Sequence, residues 1–136
     1  MLPKLKGIDH IHVYVSDREA AADWYKRVLG FTVVETLAFW AENENGPLTI
    51  EDSCGTVHLA LFNSKDFIPS SGIAYSTDGQ AFLQWKSYLE RQNILDRCSD
   101  HTAAWSLYFK DLDGNSNEIT TYDYEVVAEK LKPEEG

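Results

Sequence analysis

Cysteine is scarce in this sequence, with only Cys54 and Cys98 among 136 residues. The two lack the CxxC spacing of a zinc or redox pair, and two thiols are too few for a disulfide framework, so we expect buried thiols. Long apolar runs are absent too: no stretch of about 18 apolar residues occurs, and the start MLPKLKGID lacks the apolar segment of a secretion signal. These absences predict a cytoplasmic protein that does not span a membrane.

Basic residues are also few, with 12 Lys and Arg against 22 Asp and Glu and a formal net charge of −10. No basic stripe runs along the chain, so its field repels nucleic acid and anionic membranes and tolerates neutral or cationic ligands. We therefore expect a small-molecule substrate, and neither nucleic acid nor membrane as a partner. The charge also keeps a protein in solution, which is its commoner role.

The chain does contain enough apolar side chains, 43% of its residues, to fill the core of one domain. Residues 7–15 alternate with the two-residue period of a half-buried strand. Ser16 and Glu19 then have the spacing of a capping box, and apolar residues recur at helical spacing as far as Leu29. Gly30 suits the left-handed residue that ends a helix, so the pattern predicts a helix from about residue 17 to Leu29.

Three more strands complete the first half of the chain, and the same order of elements follows in the second half. The strands predicted to complete the first half are Phe31 to Trp40, Leu48 to Glu51 and Thr56 to Phe62. In the second half they are Gly72 to Ser76, before a helix closed by Asn93, and then Ile94 to Ser99, Ala104 to Lys110 and Asn117 to Tyr122.

The repeated βαβββ order indicates a duplication within a single α+β domain. We place module 1 at about 7–63, a linker at 64–70, module 2 at about 71–124 and a C-terminal tail at 125–136, with a short helix near its start. Because each sheet alone leaves one face open, we expect the modules to join side by side into a curved mixed sheet with a concave cup.

Strand parity predicts which polar residues face this cup, because residues two apart lie on the same side of a strand. In each strand we assign the apolar alternate residues to the helix-packed side. The residues left facing the cup include His10, His12 and Tyr14 in the first strand, His58 and Phe62 in the fourth, and Glu118 and Tyr122 in the last.

Two imidazoles and one carboxylate in one cup suit a divalent metal ion. His10, His58 and Glu118 are the predicted ligands, since neutral imidazole and ionised Glu bind Fe, Mn, Ni, Co or Zn. Each residue also has a simpler explanation. His10 or His58 is an ordinary polar residue of a wet cleft in that case, and Glu118 pairs with Lys110 or caps a loop.

Two stretches of the chain resemble the vicinal oxygen chelate superfamily of glyoxalases, extradiol dioxygenases and fosfomycin or bleomycin resistance proteins. The run from Ile8 to Asp17, followed by W-Y-x-x-x-L-G-F ending at Phe31, looks like the first strand and helix of that superfamily. The run from Ser106 to Ile119 resembles its Y-F-x-D-P-D-G-N-x-x-E pattern, with Leu112 in place of Pro. The resemblance extends from Gly7 to about Tyr124.

The resemblance implies roles for several residues. His10 falls on the first-strand metal ligand, Glu118 on the last-strand carboxylate, and Tyr108 on a tyrosine that lines the substrate site in several members. The usual fifth-strand His is missing, because Ser71 or Gly72 stands there. Either His58 restores the triad, or the site is a pocket without metal. With two His and one Glu, the likeness favours Fe2+ or Mn2+, and Zn2+, Ni2+ or Co2+ are the alternatives.

Other residues of the cup are candidates for contact with the substrate. His12 and Tyr108 are the candidate catalytic residues, with His12 as an acid or base. His101 lies in a polar turn, where it is either a solvated loop residue or a substrate contact. The predicted substrate-binding residues are Tyr14, Phe62, His101 and Tyr122.

Two functions follow from these residues. The first is a glyoxalase-like or dioxygenase-like metalloenzyme, either a metal-dependent lyase or isomerase or an extradiol-type dioxygenase. Its metal chelates a small substrate with vicinal oxygens. The alternative is a metal-free, drug-binding protein of the bleomycin-resistance type, which the acidic charge and aromatic cup also suit. The resemblance further implies a homodimer.

Overall fold

The computed structural model describes residues 1–131, which divide into two compact units. The first unit spans Met1–Pro69 and the second begins at Ser70. Each unit has the order βαβββ and carries one four-stranded mixed sheet. The predicted α+β class and the predicted duplication are therefore confirmed, while the joining of the two sheets into one cup stays a prediction.

The first unit consists of five regular elements and one 3-10 helix. They are β1 (Ile11–Val15), α1 (Arg18–Leu29), β2 (Thr32–Val33), the 3-10 helix Glu35–Glu42, β3 (Leu48–Glu51) and β4 (His58–Asn63). The sheet order is β1-β4-β3-β2, with β1 parallel to β4 and the other pairs antiparallel. Tyr25 of α1 is fully buried, as are Val15, Ile50, Leu59 and Leu61 of the sheet, and these side chains form the core.

The helix α1 begins one residue later than the capping-box prediction places it. Its N-cap is Asp17 rather than Ser16, because the Asp17 carboxylate accepts hydrogen bonds from the backbone N–H groups of Glu19 at 3.0 Å and Ala20 at 3.2 Å. At the other end Gly30 has φ of 75°, which confirms the predicted left-handed end of the helix.

The strand predicted from Phe31 to Trp40 is wrong beyond Val33. Thr32 and Val33 pair with β3, and the chain then turns into the 3-10 helix. The buried guanidinium of Arg18 donates hydrogen bonds to the carbonyl oxygen of Ala41 in its last turn and to those of Asn43 and Gly46 just beyond it. These contacts with α1 override the β-propensity of the segment, which is a weak preference compared with tertiary contacts.

The second unit repeats the order of the first. Its elements are β5 (Ile73–Ser76), α2 (Gly79–Arg91), β6 (Arg97–Asp100), β7 (Trp105–Lys110), β8 (Ser116–Thr121) and α3 (Tyr124–Leu131). The sheet order is β5-β8-β7-β6, with β5 parallel to β8. The helix α3 confirms the predicted short helix, and residues 132–136 of the predicted tail lie outside the described residues.

Strand β6 is shorter than the predicted strand from Ile94 to Ser99. The backbone N–H groups of Ile94 and Leu95 both donate to the carbonyl oxygen of Leu89, at 3.0 and 3.4 Å, so these residues close the end of α2 instead of pairing with β7. Asn93, at φ of 60°, lies in this reversal, as the predicted end of the helix requires.

The burial of the side chains agrees with the predicted alternation along the strands. Val13 and Val15 are buried, whereas His10, His12 and Tyr14 are exposed. The same holds in the other strands, where Leu59, Leu61, Ile119 and Thr121 are buried and His58, Phe62 and Glu118 are partly exposed.

The two thiols are not both buried. Cys54 is exposed and Cys98 is partly buried, so the prediction is wrong for Cys54, which lies in the turn between β3 and β4. None of the helices within residues 1–131 is long and apolar enough to cross a membrane.

Candidate functional site

A cavity of about 170 Å³ in the first unit contains two of the predicted metal ligands. His10 and His58 both line it, together with Asp9, the neighbour of His10. Trp40 of the 3-10 helix and Thr49 of β3 contribute to its wall. The structure therefore brings the two imidazoles to one cavity, and it does so through the strand parity of β1 and β4.

His10 is held by neighbours on both ring nitrogens. Its Nδ1 lies 2.8 Å from Oδ2 of Asp9, and its Nε2 lies 3.2 Å from Nε2 of His12. Because a carboxylate only accepts hydrogen bonds, the proton of this contact is on Nδ1. In the neutral ring the lone pair is then on Nε2, where the N–H of His12 points. His10 would hold a metal ion through Nε2, and the N–H of His12 would then have to give up its contact with that nitrogen.

His58 is held by Glu51, a residue that was not predicted to belong to the site. Its Nε2 lies 3.0 Å from Oε2 of Glu51, and the two residues are direct partners in the pairing of β3 with β4. By the same argument Nε2 donates the hydrogen bond, so Nδ1 is the nitrogen that remains for a ligand. The sequence contains a signal for this contact. Glu51 and His58 flank the turn between two predicted strands, and residues that flank such a turn face each other across the hairpin.

Two predicted substrate-binding residues lie beside His12 on the exposed side of the first sheet. The ring of Phe62 is 4.8 Å from that of His12 and 6.1 Å from that of Tyr14. Tyr14 and Phe62 are neighbours because their positions pair across β1 and β4. The result is an aromatic surface next to the pair of His10 and His12.

In the second unit, Glu118 and Tyr108 are paired positions on neighbouring strands. Tyr108 pairs with Glu118 on one side and with Arg97 on the other, so all three side chains share one face of the sheet. The hydroxyl of Ser106 donates to Oε2 of Glu118 at 2.7 Å. Glu118 and Lys110 are not among the ion pairs of residues 1–131.

Tyr108 is fixed by two further side chains. Nε2 of His101 lies 2.8 Å from its hydroxyl, and the guanidinium of Arg97 lies 4.3 Å from its ring centroid. His101 therefore contacts the predicted substrate-site tyrosine, although contact with a substrate stays a prediction for both. Arg97 was not predicted, because only the register of β6 against β7 reveals it. Tyr122, just after β8, is exposed.

No group of three or more His, Cys, Asp and Glu side chains within residues 1–131 is close enough together to hold a metal ion. The first unit supplies His10 and His58 to one cavity, and Glu118 belongs to the second unit. Their meeting at one metal ion stays a prediction.

Comparison with known proteins shows the family of this chain. The family model described as Glyoxalase/Bleomycin resistance protein/Dioxygenase superfamily matches residues 7–130. The chain belongs to this superfamily. The resemblance found in the two sequence motifs is thereby confirmed over nearly the whole chain.

Relatives within the superfamily include two proteins named metallothiol transferase FosB. Those of Staphylococcus haemolyticus and Staphylococcus epidermidis are each 32% identical to this chain, in alignments covering 86% of this chain and 84% of each relative.

Solved structures of the superfamily have the same fold. A glyoxalase/dioxygenase from Nostoc punctiforme is 22% identical with a TM-score of 0.68, covering 90% of this chain and 95% of its own. A lactoylglutathione lyase from Agrobacterium tumefaciens is 21% identical with a TM-score of 0.67, covering 89% of this chain and 97% of its own. At these identities the likeness shows the fold alone.

Proposed function

We propose that the protein is a metal-dependent enzyme in which His10, His58 and Glu118 bind one divalent ion. One observation carries the proposal: His10 and His58 line the same cavity, and each has one ring nitrogen held by a carboxylate. Metal-binding histidines commonly donate their other N–H to a carboxylate, which fixes the ring and its tautomer.

The donor atoms suit a first-row divalent metal. Two imidazole nitrogens and one carboxylate oxygen favour Fe2+ or Mn2+ in this superfamily, with Zn2+, Ni2+ and Co2+ as alternatives. Such an ion, when bound, polarises the oxygens of a substrate with vicinal oxygens. Ser106, which donates to one oxygen of Glu118, holds the carboxylate in orientation and leaves its other oxygen available.

The chain supplies further groups for the substrate. His12, whose Nε2 contacts His10, is the proposed acid or base, and the hydroxyl of Tyr108 is the proposed hydrogen-bonding group at the second sheet. Tyr14 and Phe62 offer apolar contact beside His12. The proposed substrate is a small molecule. His101 contacts it directly, or acts on it through its hydrogen bond with the hydroxyl of Tyr108.

The reaction class is proposed from the relatives. Lyase, isomerase and dioxygenase reactions are all compatible with a metal ion that binds vicinal oxygens. The metallothiol transferases, at 32% identity, favour transfer of a thiol as the first reaction to test. A screen of the metal-loaded protein therefore begins with fosfomycin and a thiol, followed by 2-oxoaldehyde adducts of thiols and by catechols.

Elemental analysis of purified protein tests the metal site before any substrate is known. We expect one divalent ion per chain in the wild type and its loss in His10→Ala, His58→Ala and Glu118→Ala. The control is His101→Ala, which removes an imidazole outside the proposed ligand set and should keep the metal. Equal metal content in all five proteins, or none in the wild type under anaerobic purification with added Fe2+ or Mn2+, overturns the proposal.

The exposed ring of Tyr14 and the partly exposed ring of Phe62 beside it favour a second candidate, a metal-free protein that binds an aromatic drug. This candidate predicts that bleomycin binds to chelator-treated protein and that Tyr14→Ala weakens the binding about fivefold, as the loss of one ring contact of about 1 kcal/mol implies. Isothermal titration calorimetry measures both. Binding only to metal-loaded protein contradicts it.

A further inference from the structure

We infer that Glu51 is a positioning residue for the metal site, which orients His58 so that Nδ1 is its ligand atom. The inference rests on the proposed function above and deepens it. Oε2 of Glu51 lies 3.0 Å from Nε2 of His58, so this nitrogen is occupied by a carboxylate. The imidazole then presents Nδ1, and its N–H donates to Glu51.

The hairpin that carries the pair is built to keep the two residues opposite each other. Glu51 ends β3 and His58 begins β4, and the two are register partners. Between them, the Asp52 carboxylate accepts the backbone N–H groups of Thr56 at 2.7 Å and Val57 at 2.9 Å. It also accepts the hydroxyl of Thr56 at 2.9 Å. A turn tied in this way prevents a shift of register, which would move Glu51 to the other face.

The two His–carboxylate pairs of the first unit differ in burial. This difference favours Glu51, rather than Asp9, as the residue that orients a metal-binding histidine. The side chains of His58 and Glu51 are 31% and 32% exposed, whereas Asp9, the partner of His10, is 95% exposed. Water competes strongly for a fully exposed carboxylate, so the contact of Asp9 contributes little. A pair that is two-thirds covered holds the ring more firmly, and partners of this kind change metal affinity 10-fold to 100-fold.

A purely structural role is the alternative explanation, in which the pair only stabilises the hairpin. The two roles differ in their dependence on the hydrogen bond to Nε2. In Glu51→Gln the amide oxygen still accepts this N–H, and the charge is lost. In Glu51→Ala both the charge and the acceptor are lost. A positioning role therefore predicts a graded loss of metal affinity, with the wild type strongest, Gln intermediate and Ala weakest.

Isothermal titration of Mn2+ into the metal-free full-length chain measures this order. We expect Kd to rise roughly 10-fold to 100-fold in Glu51→Ala and less in Glu51→Gln. The matched control is Glu35→Ala, which removes a carboxylate of the same unit from the start of the 3-10 helix and should leave Kd unchanged. Thermal melts of all variants check that each chain is folded.

Proton NMR of the Co2+-loaded protein gives a second readout. Each bound imidazole shows a paramagnetically shifted signal from its remaining N–H, which disappears in D2O. We expect the signal assigned to His58, by its absence in His58→Ala, to persist in Glu51→Gln and to broaden through exchange with water in Glu51→Ala.

The failure of the inference differs from the failure of the proposed function. If Glu51→Ala binds Mn2+ with wild-type Kd while His58→Ala does not bind it, the inference is overturned and the metal site stands. If the wild type binds no divalent ion, the proposed function is overturned. A crystal structure of the metal-bound protein with Nε2 of His58 on the metal also overturns the inference.

Discussion

Tyr108 is held on two sides, because its hydroxyl contacts His101 and its ring lies against the guanidinium of Arg97. A side chain fixed before binding loses little conformational freedom when a ligand contacts it. With a substrate from the screen above, we expect Tyr108→Phe to lower kcat/KM about tenfold, the effect of one lost hydrogen bond of about 1.4 kcal/mol. Steady-state kinetics measures the loss, and metal content should stay constant because Tyr108 is not a proposed ligand. An unchanged kcat/KM would exclude its hydroxyl from the substrate site.

We expect Tyr75 to make the stability of the second unit depend on pH. Its hydroxyl donates to Oδ1 of Asn117 at 2.8 Å, and burial, together with the charge of Asp111, raises the pKa of Tyr75 well above its ordinary value. A raised pKa means that the unfolded chain releases this proton first as pH increases. The contribution of Tyr75 is therefore complete below the unfolded pKa of about 10 and is lost above it.

The pKa of Tyr75 affects the stability of the protein only at alkaline pH. Above about pH 10 we expect the free energy of unfolding to fall more steeply in the wild type than in Tyr75→Phe, by up to about 1.4 kcal/mol per pH unit. Urea unfolding between pH 8 and about pH 11 measures both slopes. Tyr122→Phe, which removes a hydroxyl from an exposed ring, is the control. Parallel curves for the wild type and Tyr75→Phe would contradict the prediction.

At the scale of elements, the 3-10 helix Glu35–Glu42 depends on one buried side chain of α1. Arg18 is 5% exposed and donates to three carbonyl oxygens, those of Ala41, Asn43 and Gly46. A lysine ammonium cannot reproduce the planar fork that reaches all three. We expect Arg18→Lys to lower the free energy of unfolding by about 2 kcal/mol, because the buried side chain at position 18 loses hydrogen bonds to these part-buried carbonyl groups.

Urea unfolding measures this effect, and Arg91→Lys on the exposed end of α2 provides a matched control with an expected change below about 0.5 kcal/mol. Since Trp40 precedes these carbonyl groups and lines the cavity with His10 and His58, the loss should be accompanied by a weaker metal affinity. Equal stability of the two variants would show that Arg18 does not hold the segment.

At the scale of the whole molecule, the proposed ligands come from both units, and the superfamily resemblance implies a homodimer. We expect light scattering to give the mass of two chains. A mixing experiment then tests whether one site uses two chains. If it does, His10→Ala and Glu118→Ala chains, each without metal alone, regain up to one metal ion per mixed dimer. The reason is that one of the two sites of the mixed dimer then combines His10 and His58 of the Glu118→Ala chain with Glu118 of the His10→Ala chain.

The metal content of the mixed dimers shows whether His10 and Glu118 of one site belong to the same chain. Recovery of metal places His10 and Glu118 of one site on different chains. No recovery, in mixed dimers verified by two different affinity tags, places both ligands on one chain. A monomer at micromolar concentration would contradict the expected dimer.

Most of the fold was predictable because its signals are local. The two-residue alternation of β1 assigned His10, His12 and Tyr14 to the exposed side, and Gly30 indicated the end of α1. Both depend only on neighbouring residues. The segment after Val33 was not predictable in this way, because its conformation depends on Arg18, which lies in another element.

Periodicity and motif spacing were enough to predict the α+β duplication, the resemblance to the superfamily and the strand faces on which His10, His58 and Glu118 lie. Only the folded chain shows that Glu51 contacts His58, that Ser106 contacts Glu118 and that His101 contacts Tyr108. Contacts of this kind depend on strand register and on the course of loops, which result from packing of the whole chain rather than from any local pattern.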